Sequence, residues 1–170
     1  MRISEALTLN RDDVDLKEKI LSIHKSKFSK SRLVPLHEST GEVLKVYAQV
    51  RDRIYPYPKS LAFFVADRGT RLTQWTVRDN FAKISRQIGI RKPIKGRRIG
   101  RGPRIHDMRH RFAAQTLVDW YRDGINVERE IPKLSTYLGH AHVNDTYWYL
   151  EAVPELLELA TLRLTHARKG

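Results

Sequence analysis

Apolar residues recur at helical intervals over most of this chain and alternate in only two short stretches. Val43, Tyr47, Val50 and Ile54 fall on one side of a helix that Ser39-x-x-Glu42 opens as a capping box and Tyr55-Pro56-Tyr57-Pro58 ends. Thr73 caps a second helix carrying Val77, Phe81, Ile84 and Ile88. A third, over 107–123, brings Ala113, Leu117 and Trp120 to one face and stops at Gly124. Pro132 sets the first turn of a short helix ending at Leu138-Gly139, a further short helix carries Tyr149, and Pro154 opens a last one over 155–166. Ile3, Ala6 and Leu7 have helical spacing with no cap before them, so the chain is expected to be truncated at its N-terminus. Residues 19–24 and 32–36 alternate as two strands joined by a hairpin loop over 25–31. The apolar run 61–65 is expected to be a third strand, although periodicity alone leaves a buried helical turn open.

One stretch breaks this patterning. Over 91–104, seven of fourteen residues are Lys or Arg and none is acidic, while Gly96, Gly100, Gly102, Pro93 and Pro103 exclude regular structure. A mere connection gains nothing by repelling itself, so the loop is expected to follow a polyanion, with a solvated linker as the alternative. The last helix is unusual in the other direction. Leu156, Leu157, Leu159, Ala160, Leu162 and Leu164 cover more of its circumference than one domain surface needs, which suggests a protein partner.

Composition narrows the partner. The 170 residues fit one domain, and 32 Lys and Arg against 19 Asp and Glu give a formal charge of +13, a balance expected of a protein that meets nucleic acid. A membrane partner is not expected, because no apolar run approaches the roughly 18 residues of a spanning helix. A secretory signal is not expected either, because polar residues return by Asn10. The protein is therefore expected in the cytoplasm, at the nucleoid. Cysteine is absent, which removes disulfides and thiol nucleophiles together. His106 and His110 stand four apart, but Asp107 occupies the place where a zinc hydrolase carries glutamate, so no metal or other cofactor is expected.

Candidate chemistry gathers where the apolar stripe of the third helix surfaces. His106 and Arg109, three residues apart, share that face, and a guanidinium beside an imidazole can hold a phosphate. His106-x-x-Arg109-His110, then Leu138-Gly139-His140, then a tyrosine nine residues beyond that histidine, resembles the C-terminal catalytic domain of the tyrosine recombinase, or phage integrase, family. Met1-Arg2-Ile3-Ser4-Glu5-Ala6-Leu7 resembles the family's first arginine motif. Ser26-Lys27-Phe28-Ser29-Lys30-Ser31-Arg32-Leu33-Val34-Pro35-Leu36 resembles its lysine hairpin, with the two glycines of the family pattern replaced by Ser26 and Phe28.

The resemblance covers nearly the whole chain. It implies an α+β fold, mainly helical with a small three-stranded antiparallel sheet, and a catalytic domain spanning 1–170 without the family's separate N-terminal domain. It implies site-specific cleavage and rejoining of double-stranded DNA through a covalent phosphotyrosyl intermediate. Tyr149 would be the nucleophile, with Tyr147 and Tyr121 as rivals on residue type alone. Arg2 and Arg109 would clamp the non-bridging oxygens, His106 would donate at the scissile phosphate, and His140 would support the transition state. Lys27 would protonate the leaving oxygen, with Lys25 or Lys30 as substitutes on the altered loop. Lys25, Lys30, Arg97, Arg98, Arg101 and Arg104 would contact the DNA backbone. The last helix would dock on another protomer. A non-catalytic, DNA-binding fragment of a recombinase is the alternative function.

Overall fold

A computed structural model describes residues 1–24, 31–92, 102–152 and 155–158, with 151 and 152 by backbone alone. The chain divides into two compact units, Arg2–Ile105 and His106–Gly170, the second taking in Met1. The mixed architecture expected from the sequence is present: mostly helices and one three-stranded antiparallel sheet.

The first unit opens with α1 (Ile3–Thr8) and a short 3-10 turn (Arg11–Asp13), followed by β1 (Val14–Asp15), β2 (Ile20–Ile23) and β3 (Arg32–Pro35). The strands pair in that order, with Leu21 opposite both Val14 and Val34. These three residues and Ile23 are buried, so the period-two alternation lays one apolar row across the sheet. The third strand is β1 rather than 61–65. Residues 61–65 are held by single bridges, Asn10 with Ala62 and Val65 with Arg71, which bury Ala62 and Phe63 without building a ladder.

Helices α2 (Glu38–Ile54) and α3 (Gln74–Gln87) complete this unit among the described residues. Thr73 caps α3 by accepting from the Thr76 amide, as expected. The α2 cap is His37, whose side chain accepts from the Ser39 amide, rather than the box starting at Ser39. The buried positions of α2 are Gly41, Ala48 and Arg51, while Val43, Val50 and Ile54 are exposed. A buried arginine explains the rotation. Arg51 Nη1 donates to the Phe63 carbonyl at 2.8 Å, and its guanidinium lies 4.9 Å from the Phe63 ring centroid.

The second unit is built from α4 (Ile105–Arg122), α5 (Val127–Leu138) and α6 (Asn144–Ala152), with residues 155–158 again helical. Its core joins Ala113, Leu117 and Val118 of α4, Val127, Ile131, Leu134 and Leu138 of α5, Tyr149 of α6, and Leu156. Each aliphatic side chain fully buried in such a cluster contributes about 1.5–3 kcal/mol. Helix α5 starts five residues before Pro132, capped by Asn126, which accepts from the Arg129 amide. Pro132 lies inside the helix on an exposed side, where water can satisfy the Glu128 carbonyl that loses its amide partner. Leu156 packs at home and Leu157 is exposed. The remainder of the last helix lies outside the described residues.

Candidate active site

Three helices deliver four of the expected residues to one place. His106 and Arg109 come from the first turns of α4, His140 from the end of α5, and Tyr149 from α6. Gly139 makes the second delivery possible: its left-handed φ of 77° closes α5, and the His140 amide then donates back to the Ser135 carbonyl at 3.0 Å.

Arg109 is buried at 9% exposure, and its Nη1 donates to the Leu138 carbonyl at 2.5 Å. That bond ties the guanidinium to the last turn of α5, one residue before the turn that sets His140. Arg109 also hydrogen-bonds the Tyr149 hydroxyl. Burial pushes the Tyr149 phenol above its usual range, while the charge and hydrogen bond of Arg109 pull it down; burial prevails. The arrangement sets a preorganised cation at a buried phenolic oxygen, where it favours negative charge on that oxygen.

Two residues that the sequence reading did not place in the chemistry complete the arrangement. His110 Nδ1 lies 3.0 Å from the Tyr149 hydroxyl, and the His106 ring stands edge-on to it with centroids 4.6 Å apart. Thr146 is fully buried, and its hydroxyl is 2.7 Å from His140 Nδ1. Spacing could have found both. His110 follows His106 by one helical turn, and Thr146 precedes Tyr149 by three residues, so each shares a face with an expected residue. The His140 and Tyr149 rings lie nearly parallel, 11° apart with centroids at 6.3 Å. Of the rival tyrosines, Tyr147 is 36% exposed against 3% for Tyr149, and Tyr121 packs against the core.

Arg2 stands in the first unit as the residue that caps α1. Glu5 is buried and holds it there: the Arg2 amide donates to Glu5 Oε2 at 2.7 Å. Arg32 Nη1 and Nη2 reach the two Glu5 oxygens at 3.1 and 2.9 Å. Arg71 donates to the carbonyls of Leu7 and Leu9, fixing the other end of α1. Arg104 is exposed immediately before α4. Lys25, Lys27, Lys30, Arg97, Arg98 and Arg101 lie outside the described residues. Among the described residues no group of three or more His, Cys, Asp or Glu side chains could hold a metal ion, and no helix is long and apolar enough to cross a membrane.

A family model described as the phage integrase family matches residues 1–155. The protein y4rB of Sinorhizobium fredii, which carries the name integrase/recombinase, is 46% identical over 165 residues, covering 96% of this chain and 51% of its own. Among solved structures, XerA recombinase matches with a TM-score of 0.73 at 25% identity, over 95% of this chain and 52% of that one. The XerH site-specific recombinase, bound to palindromic difH substrate as a post-cleavage complex, matches with a TM-score of 0.65 at 28% identity, over 95% of this chain and 41% of that one. This chain spans about half the length of these relatives.

Proposed function

The chain belongs to the phage integrase family, and from that premise we propose that it cleaves and rejoins double-stranded DNA at specific sites through a 3′-phosphotyrosyl intermediate. The observation that carries this reading is the Tyr149 hydroxyl, held by Arg109 and His110 beside the His140 ring. A phosphodiester repels nucleophiles and has a poor leaving group, so cleavage needs a positioned nucleophile, cations at the non-bridging oxygens and a proton for the departing oxygen.

In this reading Tyr149 attacks phosphorus and displaces the 5′-oxygen. Arg109 and Arg2 neutralise the charge gathering on the non-bridging oxygens, and the bond that ties the buried Arg109 guanidinium to the Leu138 carbonyl supports its share of that role. His106 donates to the scissile phosphate, and His140, oriented by Thr146, supports the transition state. Lys27 protonates the leaving 5′-oxygen. The covalent link conserves the energy of the broken bond, so rejoining needs no cofactor. Lys25, Lys30, Arg97, Arg98, Arg101 and Arg104 follow the DNA backbone, as the charge of +13 favours. The protein acts at the nucleoid, and strand exchange takes place between protomers linked through the C-terminal helix, whose exposed Leu157 is consistent with a partner.

The test is a nicked suicide duplex carrying the protein's own target. Wild type should become covalently attached, and Tyr149→Phe should bind the duplex equally while forming no adduct. Binding without any adduct by wild type would reduce the protein to a DNA-binding fragment.

A further inference from the structure

Resting on that reading of Tyr149, we propose that Trp148 is a stacking platform for a nucleobase: its indole covers the base of the nucleotide whose 3′-phosphate is joined to Tyr149, once the strand beyond it has left. Trp148 is 55% exposed, while Tyr149 beside it is 3% exposed. The indole is open to water and yet held in place. Its ring meets the Tyr149 ring edge to face, with centroids 5.3 Å apart and planes at 71°, and it meets the His110 ring at 5.9 Å and 60°. Both contacts have the geometry that aromatic pairs favour. They tie the indole to the two residues that share a hydrogen bond at the reacting hydroxyl. A large flat apolar side chain is thus fixed beside the nucleophile with more than half of its surface uncovered.

Cleavage creates the group that fits this surface. In an intact duplex each base is stacked on both sides. Breaking the bond from phosphorus to the 5′-oxygen lets the downstream strand leave, and the last base on the Tyr149 side loses its neighbour on the face towards the break. Trp148 and Tyr149 are consecutive, with Cα atoms about 3.8 Å apart, so the nucleotide linked to Tyr149 is within reach of the indole. An aromatic ring replaces the lost neighbour, and it does so for any base, since every base has a π-face. Arg109 recognises phosphate, whereas Trp148 recognises the base next to it. The role falls on the covalent intermediate rather than on the attack. Stacking stabilises the cleaved state after the old neighbour has gone, which slows the return of the original strand and leaves time for a new one. The indole makes and breaks no bond.

The test removes the indole and the base separately and together. Adduct is formed on the nicked suicide duplex, a 5′-hydroxyl strand is added, and the rate of rejoining is followed. The natural duplex is compared with one that is abasic at the nucleotide linked to Tyr149. The rate of Trp148→Ala relative to wild type should be larger on the natural duplex than on the abasic one by about 5- to 150-fold, the range for one base stacked on an aromatic ring. Any effect of the substitution on the chemistry itself enters both duplexes alike and cancels in this comparison. Trp148→Phe, which keeps a smaller ring, should fall between wild type and Trp148→Ala. A second measurement needs no variant. Stacking quenches the emission of 2-aminopurine, so that base, placed at the same nucleotide, should stay as dark in the wild-type adduct as in the uncut duplex, although its neighbour has left. A relative rate that is equal on the two duplexes within about twofold, as it would be if Trp148 packed against a second protein chain, would overturn the assignment while leaving the nucleophile intact. Brightening of 2-aminopurine in the wild-type adduct would do the same. Failure of wild type to form any adduct would overturn both.

Discussion

Replacing Glu5 by alanine should strand a buried guanidinium beneath the helix that presents Arg2. Glu5 is 6% exposed and the Arg32 side chain 9%, and the two meet through a two-pronged contact at 3.1 and 2.9 Å. Removing one partner of such a pair costs about 3–5 kcal/mol, because the remaining charge stays desolvated and loses its counter-charge. For a chain of this length, at about 2–4 °C per kcal/mol, Tm should fall by roughly 6–20 °C. The double variant Glu5→Leu with Arg32→Met removes both charges and should recover most of the loss, which a urea-melt cycle would measure. The pair also has a signature in pH. Burial alone would raise the Glu5 carboxyl, but the hydrogen bonds from Arg32 and the Arg2 amide, with both charges, hold it below the ordinary 4.5. A depressed carboxylate contributes stability that is complete above its unfolded value and is lost as pH falls through its folded value. Wild type should therefore lose stability below about pH 4.5 more steeply than Glu5→Gln does. A loss under about 1 kcal/mol in Glu5→Ala, with an unchanged acid limb, would mean that the pair behaves as an exposed one and would refute the reasoning.

Arg109→Lys keeps the charge but loses the fork that spans the Leu138 carbonyl and the Tyr149 hydroxyl. Single-turnover cleavage should fall by about 100- to 1,000-fold, and a rate near wild type would remove the guanidinium from the chemistry. Replacing Arg97, Arg98 and Arg101 together by Ala should flatten the salt dependence of DNA binding, by about 0.9 log units per log unit of salt for each phosphate that is no longer neutralised. An unchanged slope would leave these three arginines out of the contact with DNA. Because Leu156 belongs to the core of its own unit, the role of the C-terminal helix is best probed by truncation after Glu158. Assembly of multimers on DNA should weaken with single-site binding intact, and unimpaired multimers would show that the segment packs at home.

Sequence patterning located what periodicity encodes and missed what single polar side chains decide. Helix α4 was legible because Ala113 and Leu117 continue the face opened by the His106 and Arg109 pair, and both are fully buried. The apolar pattern of α2 does not tell which face is buried, because a buried arginine is invisible to it: Arg51 turns the helix so that Val43, Val50 and Ile54 face outward. Pro132 concealed the start of α5, although Asn126 as a cap and Val127 and Ile131 at a four-residue interval carried the signal. A two-residue strand such as β1 has too short a pattern to read, and the apolar run at 61–65 drew the assignment instead. Within the site, motif spacing led to Tyr149, Arg109, His106 and His140. The partners that orient them, His110, Thr146 and the Leu138 carbonyl, depend on how α4, α5 and α6 pack.

Peptide mass spectrometry of the trapped complex tests the central claim most directly. Cleavage after Lys and Arg should release one peptide, from Leu134 to Arg163, that carries Tyr137, Tyr147 and Tyr149 together. Fragmentation should place the nucleotide remnant on Tyr149, joined through a 3′-phosphate. A remnant on Tyr147, on Tyr137, or on any residue outside that peptide would contradict the account.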